Sequence, residues 1–108
     1  MRTLLWIAAV FACGATFIAD AADDAAAEAL AKKSGCLKCH SVDKKKGGPS
    51  FKETAAKYKG KPEAEQKLFT HLTTNPKVKI DGEEETHESL KTKNDAEVKN
   101  VIGWILSR

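Results

Sequence analysis

The chain has 108 residues, 31% charged and 6% aromatic, with a formal net charge of +3, which leaves room for one small domain and excludes a multidomain enzyme. After Met1 and Arg2 come seventeen residues without a charge, Thr3 to Ala19, and then Ala19-Asp20-Ala21. This has the form of a secretory signal peptide over residues 1–21, with 22–108 as the functional domain. Of those 87 residues only seventeen are Leu, Ile, Val, Phe, Trp or Tyr. So thin a core commonly needs a disulfide, a metal or another filler to offset conformational entropy.

Two other readings of the N-terminus stand beside the signal peptide. Val10-Phe11-Ala12-Cys13-Gly14 loosely follows a lipoprotein cleavage box, which would make Cys13 a lipidated terminus. The uncharged run also meets the lower limit for a membrane span, about 17 to 25 residues, and would serve as an uncleaved anchor. All three place the domain outside the cytoplasm.

Asp24 to Lys33 is rich in alanine, with acids first and lysines last, a helix matched to its own dipole and ended by Ser34-Gly35. Lys44 to Pro49 is a basic loop. Ser50-Phe51-Lys52-Glu53 then has the capping-box form, predicting a short helix to Lys59 that Gly60 stops. Pro62 opens a third helix with Ala64, Leu68 and Leu72 on one face. Asn75 to Lys93 contains Pro76, Gly82 and three consecutive glutamates, and is expected to be a loop of nineteen residues. Loops above about 12 to 15 residues are usually functional or disordered. Asn94 caps the last helix with Glu97 in the reciprocal position. Val98, Val101, Ile102, Ile105 and Leu106 form its apolar stripe, with Trp104 at the border.

The chemistry lies after the first helix, in Gly35-Cys36-Leu37-Lys38-Cys39-His40. With Cys13 assigned to the leader, a single cysteine pair cannot make a disulfide framework. Two thiols three positions apart, followed at once by a histidine, form the attachment pattern of a c-type haem: each thiol adds to a vinyl group and the imidazole binds iron. A thioredoxin-like pair would need alternating strands and helices, which this pattern lacks. A zinc site would need a second ligand pair, and His71 and His87 are sixteen positions apart.

Three stretches together resemble the short bacterial class I cytochromes c: the Cys36–His40 motif, Gly48-Pro49-Ser50-Phe51-Lys52-Glu53-Thr54-Ala55-Ala56-Lys57-Tyr58, and Asp95-Ala96-Glu97 leading to Gly103-Trp104-Ile105-Leu106-Ser107. The resemblance covers most of residues 24 to 107. It implies an all-α fold of four to five short helices around one covalently attached haem c, with the first and last helices crossing beside it. It also implies that the Pro49 carbonyl accepts the second ring proton of His40, orienting the ring and raising its basicity. Leu68 and Leu72 are expected to line the cofactor.

The resembled family usually supplies a methionine sulfur opposite the histidine, in the segment before the last helix. The single methionine here is Met1, in the leader, so thioether ligation is excluded by counting. His87, seven residues before Asn94, stands within about one position of the family's methionine and is the expected distal ligand, with His40 as the proximal one. His71, Lys79, Lys91 or no ligand are the alternatives. A second imidazole in place of a thioether favours ferric iron and a lower potential. Glu83, Glu84, Glu85 and Glu88 near His87 are expected to favour its imidazolium, so that protons compete with the metal.

Residues 32–61 hold ten lysines against two acids, net +8, whereas residues 62–97 hold five lysines against nine acids, net -4. Lys38, Lys44, Lys45 and Lys46 beside the attachment motif predict a transient redox partner with an acidic docking surface. The lysines lack interleaved aromatics, which argues against nucleic acid. The sequence thus predicts a monomeric, mono-haem electron-transfer protein of the periplasm, low in potential, not an enzyme, and membrane-associated only through an uncleaved or lipidated N-terminus. The rival reading is a small-ligand sensor or peroxidase-like protein whose distal histidine dissociates.

Overall fold

The computed structural model describes residues 23–108. The expected signal peptide, its cleavage point and the alternative lipidation site at Cys13 lie outside the described residues. Among the described residues, four α-helices and one small hairpin follow in chain order: α1 (Asp24–Lys33), a 3-10 turn (Cys36–Lys38), α2 (Phe51–Tyr58), α3 (Ala64–Thr73), β1 (Lys77–Ile80), β2 (Glu83–Thr86) and α4 (Asp95–Leu106). No helix among them is long and apolar enough to cross a membrane.

The helix α4 is the axis of the core, and α1, α2 and α3 all pack on it. Its Val98, Val101, Ile102 and Ile105 are buried at 5% exposure or less. Truncating a side chain so enclosed typically costs about 2 to 5 kcal/mol. Ala27 and Ala31, one turn apart on α1, are fully buried; their small side chains let α1 lie close against α4. The root of this crossing is clasped by Asn100, which accepts from Asp23 N–H at 2.8 Å and donates to the Asp23 carbonyl at 2.9 Å.

Sequence and structure agree closely on α1, where the Asp23 side chain caps Ala26 N–H, and on α2, where Ser50 and Glu53 form the expected reciprocal box. Other expectations are corrected. The third helix begins at Ala64 with no side-chain cap, leaving Pro62 in the preceding turn. Asn94 caps α4 through Ala96 N–H, but Glu97 bonds the Thr92 hydroxyl, because Thr92 takes the Asn94 N–H that Glu97 was expected to hold. Trp104 is not at a border. Packing on several sides widens the buried arc of α4, so Trp104 is 3% exposed, with its ring edge-on to Phe51 at 5.3 Å and the Arg108 guanidinium over it.

The largest correction concerns Asn75 to Lys93, expected to be irregular throughout. It contains an antiparallel hairpin pairing Lys77 with Thr86, Val78 with Glu85, Lys79 with Glu84 and Ile80 with Glu83. Asp81 and Gly82 both hold positive φ, 52° and 84°, as a two-residue hairpin turn of this twist requires. Val78 and Ile80 alternate half-buried with exposed Lys77 and Lys79, whereas β2 is exposed along its length.

Candidate functional site

The site is assembled from three segments that α1, α2 and α3 hold together. Immediately after α1, Cys36 to His40 form one tight turn in which Lys38 N–H bonds Gly35 O at 3.2 Å, and Cys39 and His40 N–H bond Cys36 O at 3.2 and 2.9 Å. Cys36 and Cys39 thus sit on one turn, Cys36 half-buried and Cys39 exposed.

His40 is held on several sides. Its Nδ1 donates to the Pro49 carbonyl at 2.7 Å. A carbonyl only accepts, so Nδ1 carries the proton and the Nε2 lone pair is left for a metal. One ring face stacks on Phe51, with centroids 5.4 Å apart and planes 20° apart. The chain passes closest at Gly48, where a Cβ would lie 2.4 Å from His40 Cε1 and 2.7 Å from Nδ1. The loop is in turn fixed to the Cys turn by Gly48 N–H on Cys39 O at 2.8 Å, and Lys46 Nζ donates to Leu37 O at 3.1 Å.

His87 follows β2 directly, and its N–H donates to Pro76 O at 2.8 Å, extending the hairpin ladder by one step. Its ring centroid is 6.2 Å from that of His40, with planes 54° apart. His71, on α3, packs against His87 at 4.2 Å. Both are half-buried, and burial, before any neighbouring charge, holds each below the ordinary imidazole range. This corrects the expected effect of the loop acids. Glu83, Glu84 and Glu85 are exposed on β2, and only Glu88 acts toward protonating His87, outweighed by burial and by His71 and His40. Neutral imidazole, the form that binds metal, is the favoured state.

Leu68 and Leu72 of α3 are both 7% exposed in the apolar cluster with Phe51, Leu90 and Trp104. Leu72 O accepts Leu90 N–H at 3.0 Å, fixing the segment after His87 to α3. On the other side the buried Ser34 hydroxyl accepts Lys91 N–H at 2.9 Å, tying that segment to the end of α1. The roles of Ser34, Gly48, Phe51 and the hairpin are not legible in the sequence, apart from one mark of the hairpin, Asp81-Gly82 after alternating Val78 and Ile80. Lys79, offered as an alternative ligand, lies exposed on β1 opposite Glu84, and Lys91 is exposed as well. A cleft of about 730 Å³ between the C-terminal ends of α2 and α4, lined by Tyr58, Lys59, Lys61 and Leu106 among others, holds none of the site residues.

This donor set fits a c-type haem. Two thiols share one turn, the next imidazole has its Nδ1 bonded to a carbonyl, and a second imidazole lies nearby. Cys36, Cys39 and His40 would hold the group, and the His87 ring lies 6.2 Å from that of His40, centre to centre. The group would supply a one-electron iron couple.

Comparison with known proteins agrees. The cytochrome c family model matches residues 25–108. The chain is 34% identical to cytochrome c-552 of Hydrogenobacter thermophilus over 99% of its own length and 98% of that protein. It is 35% identical to cytochrome c-551 of Azotobacter vinelandii over 74% and 94%. Among solved structures it resembles the class 1 cytochrome MtoD of Sideroxydans lithotrophicus ES-1, with 48% identity, a TM-score of 0.77, and 81% and 97% of the two chains covered. Cytochrome c552 of Nitrosomonas europaea follows at 31% identity and a TM-score of 0.58 over 74% and 96%. The chain therefore belongs to the cytochrome c family, as a class I monohaem electron-transfer protein with covalently attached haem c and with Cys36 and Cys39 at the spacing that attachment uses.

Proposed function

We propose that this cytochrome is a low-potential electron carrier of the periplasm, with His40 and His87 as axial ligands and with Pro49, Leu68 and Leu72 in the cofactor's surroundings. The observation that carries the reading is the 6.2 Å spacing of the two imidazole rings, together with the absence of any methionine beyond Met1. His40, with Nδ1 bonded to the Pro49 carbonyl, is a strengthened donor; His87, neutral through burial, is the second. Two nitrogen donors favour ferric iron over ferrous relative to a nitrogen–sulfur pair.

Residues 1–21 act as the export signal and 22–108 as the electron-transfer domain, which works as a monomer. Lys38, Lys44 and Lys45 are exposed around the attachment turn, and steer it toward an acidic redox partner. The ligand assignment is tested by potentiometric titration of the wild type and His87→Met. The substitution should raise the potential into the range of Met/His cytochromes; a wild type already in that range refutes the reading.

A further inference from the structure

The two histidines are held in different ways. His40 is fixed by a ring hydrogen bond, a stacked phenyl ring and a closely packed backbone. His87 has its Nδ1 buried without a hydrogen-bond partner of ordinary geometry among the described residues, and its ring meets only the ring of His71, at 4.2 Å, among aromatic neighbours besides His40, so much of its placement falls to its own backbone. That backbone leaves a hairpin with two half-buried side chains on one strand and none on the other. Two strands alone are marginal in water.

The root of the hairpin is closed just beyond the His87–Pro76 step. Ser89 N–H donates to Asn75 Oδ1 at 3.1 Å, Ser89 Oγ donates to the same oxygen at 2.7 Å, and Asn75 N–H donates to Ser89 Oγ at 3.2 Å. Asn75 holds φ at 49°, a left-handed conformation that asparagine tolerates better than most residues. On the other side of His87 lies the Lys77–Thr86 pair, where Lys77 Nζ also donates to the Thr86 hydroxyl at 2.7 Å. The distal histidine is thus pinned between a strand pair and a side-chain clamp. Neither Asn75 nor Ser89 belongs to the apolar core.

We propose that Asn75 and Ser89 are positioning residues that hold His87 in register over the metal and thereby set how readily the distal imidazole leaves. This rests on His87 being the ligand. The clamp acts through the backbone on either side of His87 and touches neither the thiols nor His40. Removing it leaves the core and the Leu90 and Lys91 ties in place but loosens the hairpin root on its Asn75 side.

The test uses ferric holoprotein and cyanide, which binds only when the native sixth ligand departs, with the binding rate read by stopped flow and the unfolding midpoint measured in parallel. Ser89→Ala and Asn75→Gly, the latter retaining access to the left-handed backbone, should each raise the cyanide rate about three- to tenfold, since each removes two of the three clamp bonds and exposed bonds lie at the low end of their usual worth. Ser89→Thr, which keeps the hydroxyl, should stay near the wild-type rate. Asn100→Ala removes two bonds to Asp23 at the α1–α4 crossing, and should lower the unfolding midpoint without raising the rate. Wild-type rates in Ser89→Ala and Asn75→Gly, or an equal rise in Asn100→Ala, overturn the clamp. His87→Ala separates the two ideas, since an unchanged spectrum there removes the ligand itself, whereas a changed spectrum with unaltered clamp variants rejects the clamp alone.

Discussion

Gly48→Ala isolates the support of the proximal histidine. Gly48 is not among the residues of positive φ, so alanine costs it no backbone strain, and the whole penalty arises from contact. The added carbon would lie 2.4 Å from His40 Cε1, 2.7 Å from Nδ1 and 3.0 Å from Nε2, about 1 Å or more inside ordinary contact at ~3.5 to 4 Å between carbons. The ring cannot retreat freely, because Phe51 is stacked on it and the Pro49 carbonyl holds Nδ1 at 2.7 Å. A shift of that size carries Nδ1 out of hydrogen-bond range. Overpacking costs about 1 to 3 kcal/mol and the lost bond about 1 kcal/mol, so denaturation of the holoprotein should show a loss of about 2 to 4 kcal/mol. The bond also strengthens His40 as a donor to ferric iron. If about 1 kcal/mol of it distinguishes the two oxidation states, its loss raises the potential by roughly 40 mV for one electron. Gly48→Ala with wild-type stability and potential would refute the close approach of loop and imidazole.

Gly82→Val offers a contrast, because Gly82 has φ of 84° and open space where a Cβ would stand. Its cost is conformational, about 1 kcal/mol or more, and should appear as a lowered unfolding midpoint with the Cys turn and proximal ligation unchanged by resonance Raman. Charge reversal at Lys38, Lys44 and Lys45 should slow electron transfer with an acidic partner severalfold and flatten its dependence on salt, since these contacts act within a Debye length of about 8 to 10 Å. Stopped-flow rates across an ionic-strength series decide it, and an unchanged salt slope rejects the docking face.

Where local physics determines the outcome, the sequence is readable. Asp23 and Ser50 cap their helices with their own side chains, the Cys36–His40 turn is closed by bonds within five residues, and α4 announces its core face by spacing. The hairpin was hidden because β2 consists of three glutamates and a threonine, all exposed, with no alternation to read. Its one local marker was Asp81-Gly82. Trp104 and the acids near His87 were misjudged for a related reason: the depth of a side chain depends on which other elements cover it, and sequence neighbours do not show that. Burial, not the adjacent carboxylates, governs the His87 imidazole. The clamp between Asn75 and Ser89, fourteen positions apart, and the Ser34–Lys91 tie across fifty-seven exist only once the chain is folded.

Two nitrogen ligands on one iron is the claim on which the rest turns, and paramagnetic resonance of the ferric holoprotein at neutral pH, with and without His87→Ala, tests it most directly. The account predicts a low-spin signal of bis-imidazole type in the wild type that is lost in the variant. Native high-spin iron, or a low-spin signal that survives His87→Ala, would contradict it.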